Sequence, residues 1–209
     1  LDADDYYLPG RFALDAEMLA TDATLDGVYH ALGAVMLDDE GRAWWKRKRK
    51  GRELTTIRCP PPPERLFFEM GPIGSRGYFS GDALTVRRAV FDTLRFSSLR
   101  LAQDTLLWVQ MAALFRLAGG QTDKPVAMRG VHAGNRIRNS GEDRSEIKAV
   151  FDELFVWASD IHLTPDKLRA LHQARLSFCA DWPELIEEIR RHPESLRGGA
   201  AYKKIAQWA

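Results

Sequence analysis

The sequence predicts an α/β protein, with an α/β body over residues 1–141 and an all-helical extension over residues 142–209. In the first part, short β-like runs such as DGVYHALGAVML (26–37) alternate with helical segments and with turns rich in Gly and Pro. After about Gly141 the apolar residues recur at helical spacing, and helix-capping residues separate the segments. This change of pattern sets the predicted boundary.

The body is predicted to begin with a helix. Pro9 lies in the first turn of this helix, which runs to about Ala20 with Phe12, Ala16 and Leu19 on one face. The remaining predicted elements are a strand (26–37), a short strand (53–58), a polyproline stretch (60–63), a glycine-rich loop (71–77), a strand or turn leading into a short helix (77–91), and a strand followed by a loop (125–135).

The segment LAQDTLLWVQMAALFRLAGG (101–120) predicts a long helix. Its apolar positions 106, 107, 111, 114 and 115 share one face, and Gly119-Gly120 is expected to end it. The most apolar run, 106–115, is about half of the ~20 residues that a membrane span needs, and it contains Gln110.

The extension is predicted to contain several helices. Thr164-Pro165 starts the second of them, and Asp181 with Glu184 has capping-box spacing for the third. The last residues, AAYKKIAQWA, are also predicted to be helical. Three residues of the first helix are expected to pack on the body: Ile147, Phe151 and Leu154.

The bulk composition is that of an ordinary globular protein. The 209 residues are 45% hydrophobic and carry a net charge of +1, which argues against a nucleic-acid binder with a broad basic face. The two cysteines, Cys59 and Cys179, form no disulfide framework and indicate a reducing, cytoplasmic compartment.

The chain opens with LDADDYYLPGR, in which Asp2, Asp4 and Asp5 stand close together. Carboxylates packed this tightly repel each other unless a cation or hydrogen bonds hold them. Their hard oxygen ligands suit Mg²⁺ or Mn²⁺. A solvated, acidic helix N-terminus ahead of Pro9 is the alternative without a ligand.

Two other acidic motifs fit less well. A calcium EF-hand needs Asn or Asp and then Gly where this chain has Tyr6 and Tyr7. An aspartyl-phosphate phosphatase would use the first Asp of D-x-D as its nucleophile, and it usually has Thr or Val at the position of Tyr6.

LDADDYYLPGRF resembles the D-x-D segment of the inverting glycosyltransferases of family 2, which have the GT-A fold. Three further segments resemble the family's downstream landmarks, in the same order: YFSGDALTVRRAVF (78–91), LAQDTLLWVQMA (101–112) and MRGVHAGNRI (128–137). The resemblance covers residues 1–140 and not the helical extension. It implies the C-terminal part of a GT-A, Rossmann-like mixed sheet. It also implies metal-dependent transfer of a sugar from a nucleotide-diphosphate donor to a saccharide, lipid-linked or protein acceptor.

By this resemblance, the divalent cation (Mn²⁺ or Mg²⁺) is bound chiefly by Asp4. Asp2 and Asp5 are expected to contact the metal, the ribose or a metal-bound water. His132 is expected to be a second contact to the metal or the diphosphate, because a neutral imidazole is a suitable ligand for Mn²⁺. The first prediction is therefore that Asp4 and His132 lie close enough to share one cation.

Asp104 occupies the position of the catalytic base, which takes the proton of the acceptor hydroxyl. An Asp at this point is also an ordinary helix N-cap, and the two roles are compatible because a helix N-terminus keeps a carboxylate ionised. Gln103 stands where the family frequently has Glu, so its acceptor-binding role is in doubt.

The segment around residue 81 supplies the remaining expected site residues. Gly81 and Asp82 would contact the acceptor or the donor, or form a turn, and Arg87 and Arg88 would reach the diphosphate or lie on the surface. The Q-x-x-R-W signature of processive synthases is absent, which favours transfer of a single sugar.

The segment WWKRKRKGR (44–52) contains five consecutive basic residues. It predicts either contact with an anionic lipid surface or lipid-linked acceptor, or a solvated mobile loop between strands. The other histidines show no metal-ligand spacing and are interpreted as structural or exposed: His30, His162, His172 and His192.

The chain begins at the D-x-D segment itself, so it resembles the acceptor-side half of such an enzyme, without the half that binds the nucleotide base. The chain alone is therefore expected to hold nucleotide poorly and to show no transfer. It is also expected to expose a sheet edge or apolar patch through which copies associate. A non-catalytic binding module, whose helices dock a partner, is the second hypothesis.

Overall fold

The computed structural model describes residues 2–49, 52–99, 102–135, 144–179 and 181–193. The α/β prediction is confirmed, because these residues form eight helices and six strands, the strands arranged in two small mixed sheets. The strands are β1 (Tyr6–Tyr7), β2 (Gly27–Tyr29), β3 (Ala31–Met36), β4 (Leu84–Val86), β5 (Leu117–Gly119) and β6 (Pro125–Val131). The helices are α1 (Ala13–Thr21), α2 (Asp39–Arg49), α3 (Leu66–Glu69), α4 (Val90–Thr93), α5 (Gln103–Leu114), α6 (Arg144–Asp160), α7 (Pro165–Leu176) and α8 (Trp182–Arg191).

The two sheets have the strand orders β1-β6-β3 and β4-β2-β5. In each of them one pair is parallel, β3 with β6 and β2 with β5, and the other pair is antiparallel. The predicted 26–37 strand passes from one sheet to the other at His30. There the His30 N–H donates to the Ala83 carbonyl and the Ala31 N–H to the Gln121 carbonyl, both at 2.8 Å.

The main core joins the helical extension to the body. Helix α5 is buried on almost all sides from Leu106 to Ala113, and α6 packs against it through Phe151 and Leu154, which have no exposed surface. This confirms the predicted packing for those two residues, whereas the side chain of Ile147 lies outside the described residues, as does the predicted helix AAYKKIAQWA.

The predicted starts of the two later helices are confirmed. Helix α7 begins at Pro165, directly after Thr164. The Asp181 side chain caps α8 by accepting the Glu184 N–H at 2.9 Å.

Three local predictions are wrong. Helix α1 begins at Ala13, and its buried residue is Asp15, whereas Phe12 and Ala16 are exposed. Helix α5 ends at Leu114, before Gly119-Gly120, because the following residues pair with β2 as strand β5. The predicted 53–58 strand contributes only isolated bridges, at Thr55 and Ile57.

The basic segment 44–49 is helical and not a loop. It belongs to α2, whose Trp44 and Trp45 are buried in a cluster with Val131. The four basic residues 46–49 form the last turn of α2, where positive charge is favoured by the helix dipole. Within the described residues, no helix combines the length and the apolarity that crossing a membrane requires.

Candidate functional site

The acidic N-terminal segment is fixed against the end of β6. Strand β1 places Tyr6 opposite Met128 and Tyr7 opposite Ala127, and the Gly130 N–H donates to Asp5 Oδ1 at 3.0 Å. A Cβ on Gly130 would lie 2.7 Å from the Asp4 carbonyl oxygen and 2.8 Å from Asp4 Oδ2. The close approach of Asp4 to β6 therefore requires glycine at position 130.

Asp4 and His132 lie side by side at this edge, as predicted. Asp4 Oδ2 is 3.3 Å from His132 Nε2, and the two side chains are 28% and 36% exposed. Asn135 joins them, because its Nδ2 lies 3.3 Å from the same Asp4 oxygen while its Oδ1 accepts the His132 N–H at 2.6 Å. One carboxylate and one imidazole thus converge on a point that solvent can reach.

Helix α2 positions the turn that carries His132. Asp38, just before the helix, accepts the Gly41 N–H at 2.6 Å with one oxygen and the Ala133 N–H at 2.8 Å with the other. A Cβ on Gly41 would lie 2.5 Å from the Val131 carbonyl oxygen and 2.9 Å from His132 Cα. The sequence analysis did not assign Asp38 or Gly41 to the site, although an Asp directly before a helix is a common local signal of a helix start.

The His132 ring has a defined proton arrangement. The Gly134 N–H donates to Nδ1 at 3.1 Å, so a neutral ring carries its proton on Nε2, facing Asp4. A cation at Nε2 would replace this proton and put the ring proton on Nδ1. The Gly134 N–H would then have to leave Nδ1, so binding requires a small movement of the 132–135 turn.

Asp5 is the buried carboxylate of the cluster, with 8% of its surface exposed. Within the described residues its Oδ2 has no hydrogen-bond partner. Burial raises the pKa of Asp5 to about 6, the neighbouring Asp82 carboxylate adds to the rise, and the Gly130 N–H and Arg129 oppose it. Asp5 therefore lacks full charge compensation at neutral pH.

Asp82 faces Asp5 from the turn before β4, and Arg129 lies between them. The Arg129 guanidinium is 4.0 Å from Asp5 Oδ2 and 3.5 Å from Asp82 Oδ2. It also donates to Ser80 Oγ at 3.0 Å, and Ser80 Oγ donates to Asp82 Oδ2 at 3.2 Å. Gly81, in the same turn, is exposed. Arg129 was not predicted, although it is a charged residue within the apolar β6 segment.

The predicted diphosphate-binding arginines have other surroundings. The Arg87 guanidinium donates to the Leu25 and Leu19 carbonyls, both at 2.7 Å, which ties β4 to the end of α1 and gives this side chain a structural role. Arg88 is exposed. Asp2 is exposed as well, and its carbonyl accepts the Asp5 N–H at 3.1 Å.

Gln103 and Asp104 occupy the first turn of α5 and are exposed. The N-cap residue is Ala102, so the interpretation of Asp104 as the N-cap is wrong. Asp104 Oδ1 instead accepts the Thr105 N–H at 2.7 Å. The contacts that the structure describes do not join Asp104 to Asp4 or His132.

A second charged network lies behind the cluster and is fully buried. Asp15 accepts hydrogen bonds from Arg11 and Thr85, both at 2.5 Å, and contacts His30 Nε2. Arg11 also donates to the Asp82 carbonyl at 3.3 Å, so this network supports the turn that carries Asp82. His30 is structural, as interpreted from the sequence, but its carboxylate partner Asp15 was not predicted.

No protein-family model, curated protein or solved structure matches this chain. The functional argument therefore depends on the site itself. It combines three carboxylates (Asp4, Asp5 and Asp82) with one imidazole and one guanidinium, an arrangement with excess negative charge that is suited to a divalent cation.

Proposed function

We propose that this chain is part of a metal-dependent, inverting glycosyltransferase of family 2 with the GT-A fold. The observation that carries the proposal is the 3.3 Å approach of Asp4 and His132. These residues are 128 positions apart in the sequence, and their proximity was predicted from the order of the resembling motifs. No disulfide joins Cys59 and Cys179, which supports a reducing, cytoplasmic setting.

Asp4 and His132 are proposed to hold Mn²⁺ or Mg²⁺ through Oδ2 and Nε2. When bound, the cation supplies the positive charge that stabilises the leaving nucleoside diphosphate. Asp5 and Asp82 add negative potential behind the ligands, and Arg129 limits their mutual repulsion.

Asp104 is proposed to take the proton from the acceptor hydroxyl. Its exposure at the first turn of α5 leaves the carboxylate accessible to an acceptor. The acceptor is a saccharide, lipid-linked or protein hydroxyl.

The metal site is tested by titrating the chain with Mn²⁺, with and without a nucleoside diphosphate. Saturable Mn²⁺ binding is expected to weaken in Asp4→Asn and in His132→Gln. Asp39→Asn, which changes a fully exposed carboxylate of α2, is the matched control. Binding that Asp4→Asn and Asp39→Asn affect equally would overturn the site.

The catalytic role is tested on the intact protein by measuring donor affinity and turnover. Asp104→Asn should reduce transfer by about 10²–10⁴-fold while donor affinity stays near normal. Asp4→Asn should weaken metal-dependent donor binding itself. Transfer by Asp104→Asn at the wild-type rate would refute the base assignment. Metal and nucleotide binding without any transfer in the unaltered protein would favour the binding-module hypothesis.

A further inference from the structure

A second group of metal-ligand types lies in the helical extension, away from the acidic cluster. His172 of α7, Glu188 of α8 and His192, just after α8, place their ligand atoms within 4.8 Å of one another. Glu188 and His192 are one helical turn apart, so they project from the same side of α8. The sequence analysis found no metal spacing here because His172 comes from a different helix.

Two members of the group, His172 and Glu188, are buried, and His192 is half-buried. His172 is 3% exposed and Glu188 is 8% exposed. His172 Nδ1 and Glu188 Oε1 are 3.6 Å apart, beyond good hydrogen-bond distance, and within the described chain neither atom has a hydrogen-bond partner. Among the described residues, these two buried atoms are held only by this long contact to each other, and an ion bound between them would satisfy both.

We propose that His172, Glu188 and His192 bind one Zn²⁺ ion, which fastens helix α8 to helix α7. A tetrahedral zinc site with bonds of about 2.0–2.1 Å separates its ligand atoms by roughly 3.4 Å. His172 Nδ1 and Glu188 Oε1 already have nearly this separation. Two imidazoles and one carboxylate favour zinc over Mg²⁺ or Ca²⁺, which prefer oxygen ligands.

The surroundings suit a structural ion. Phe155 stacks on the His172 ring at 4.5 Å and covers one side of it, and the His192 ring stacks on His172 at 3.5 Å. Arg175, the nearest cation, donates to Glu184 at 2.5 Å. Binding requires rotation of the His192 ring out of the stack.

The test uses protein stripped of metal with a chelator and then titrated with Zn²⁺, followed by calorimetry and thermal unfolding. Co²⁺ serves as a spectroscopic probe, because tetrahedral Co²⁺ absorbs strongly in the visible range. The expected result is one tight Zn²⁺ equivalent, a raised unfolding temperature and a tetrahedral Co²⁺ spectrum.

The variants avoid the fully buried ring of His172. His192→Gln and Glu188→Gln should each reduce Zn²⁺ affinity by at least about tenfold and abolish the tetrahedral spectrum. Circular dichroism verifies that the helices are retained. His162→Asn is the matched control, since His162 is exposed in the α6–α7 turn with φ 52°, which Asn tolerates. His132→Gln removes the other site and should leave this spectrum unchanged.

Two results would overturn the proposal. One is Zn²⁺ binding and a Co²⁺ spectrum in His192→Gln and Glu188→Gln equal to those of the unaltered chain. The other is the absence of tight Zn²⁺ binding in folded, unaltered protein. Neither result depends on glycosyl transfer.

Discussion

Asp5 and Asp15 are both buried carboxylates, at 8% and 2% exposure, yet their surroundings shift their pKa values in opposite directions. At Asp15 burial alone would raise the pKa, but hydrogen bonds from His30 and Thr85 and the charge of Arg11 outweigh it, so the pKa is lowered. At Asp5 burial prevails and raises the pKa to about 6.

The difference lies in the partners. Asp15 has a hydrogen-bond donor or a positive charge close to each oxygen. Asp5 has one backbone donor, an Oδ2 that has no hydrogen-bond partner among the described residues and faces Arg129 only at 4.0 Å, and a like-charged neighbour in Asp82. A compensated carboxylate stabilises the fold, and an uncompensated one stores repulsion that a cation can relieve. The two regions thus differ in role: the charge of Asp15 is structural, and the charge around Asp5 is the one that we propose binds a cation.

The largest expected effect comes from breaking the compensated network. Asp15→Asn leaves the buried Arg11 and His30 without their carboxylate and should lower the free energy of unfolding by about 3–5 kcal/mol at pH 7. Urea unfolding measures the loss. Glu17→Gln, which makes the same chemical change on the exposed side of α1, should change little.

The pH dependence of this loss follows from the lowered pKa. The folded protein keeps Asp15 ionised at pH values where the unfolded chain, with a pKa near 3.8, begins to bind a proton. The stabilisation is therefore complete above about pH 4 and disappears at more acidic pH. If Asp15→Asn lowers the free energy of unfolding by less than about 1 kcal/mol at pH 7, the network does not contribute substantially to stability.

A smaller effect is expected where the acidic segment meets β6. Gly130→Ala places a Cβ within 3 Å of three Asp4 atoms, two of them rigidly held, and should cost about 1–3 kcal/mol of stability. Because Asp4 must move, Mn²⁺ affinity should also fall by about tenfold or more. Urea unfolding and Mn²⁺ titration measure the two effects. Gly81→Ala, where a Cβ meets no atom within 4 Å, is the control, and equal effects of the two substitutions would contradict the packing argument.

Structural features could be predicted from the sequence where they depend on local residue spacing or on the order of the motifs along the chain. The capping box at Asp181 and the packing face of α6 could be predicted from residue spacing. The proximity of Asp4 and His132 could be predicted because the resemblance supplied the strand relationship that joins them.

Residues whose partners lie far along the chain could not be predicted. The face predicted for α1 did not include Asp15, whose hydrogen bond to Thr85 spans 70 residues. Asp38 signals a helix start locally, while its bond to Ala133 spans 95 residues. In both cases a tertiary contact, invisible to periodicity, decides the role of the carboxylate.

At Asp5 the expected effect has the opposite sign, because removing this charge should stabilise the protein. Asp5→Asn retains an acceptor for the Gly130 N–H and offers a donor to Asp82, so without metal it should raise the free energy of unfolding by about 1 kcal/mol at pH 7. Folded wild-type protein binds more protons than the unfolded chain between about pH 3.8 and pH 6, so its stability falls as the pH rises through that window. The advantage of the variant should therefore be greatest above pH 6 and smallest near pH 4.

Urea unfolding of both proteins at several pH values, with a chelator present, measures this difference. Added Mn²⁺ should reverse it, because the unaltered chain binds the cation more tightly and is stabilised accordingly. A variant that is less stable than the unaltered chain at every pH would show that Asp5 is compensated in the same way as Asp15.

The smallest effect is expected at the exposed carboxylate Asp104. Asn keeps the oxygen that accepts the Thr105 N–H, so the only loss is a negative charge at the N-terminus of α5, worth about 0.5 kcal/mol at low salt and less at high salt. Asp166→Asn, at an exposed residue in the first turn of α7, makes the same change at a second helix and should have a similar effect. Urea unfolding at two salt concentrations measures both. A loss above about 2 kcal/mol at Asp104 alone would place it with Asp15 among the structural carboxylates. Loss of transfer in Asp104→Asn would then reflect damage to the fold, whereas a small stability change allows it to be interpreted as loss of the base.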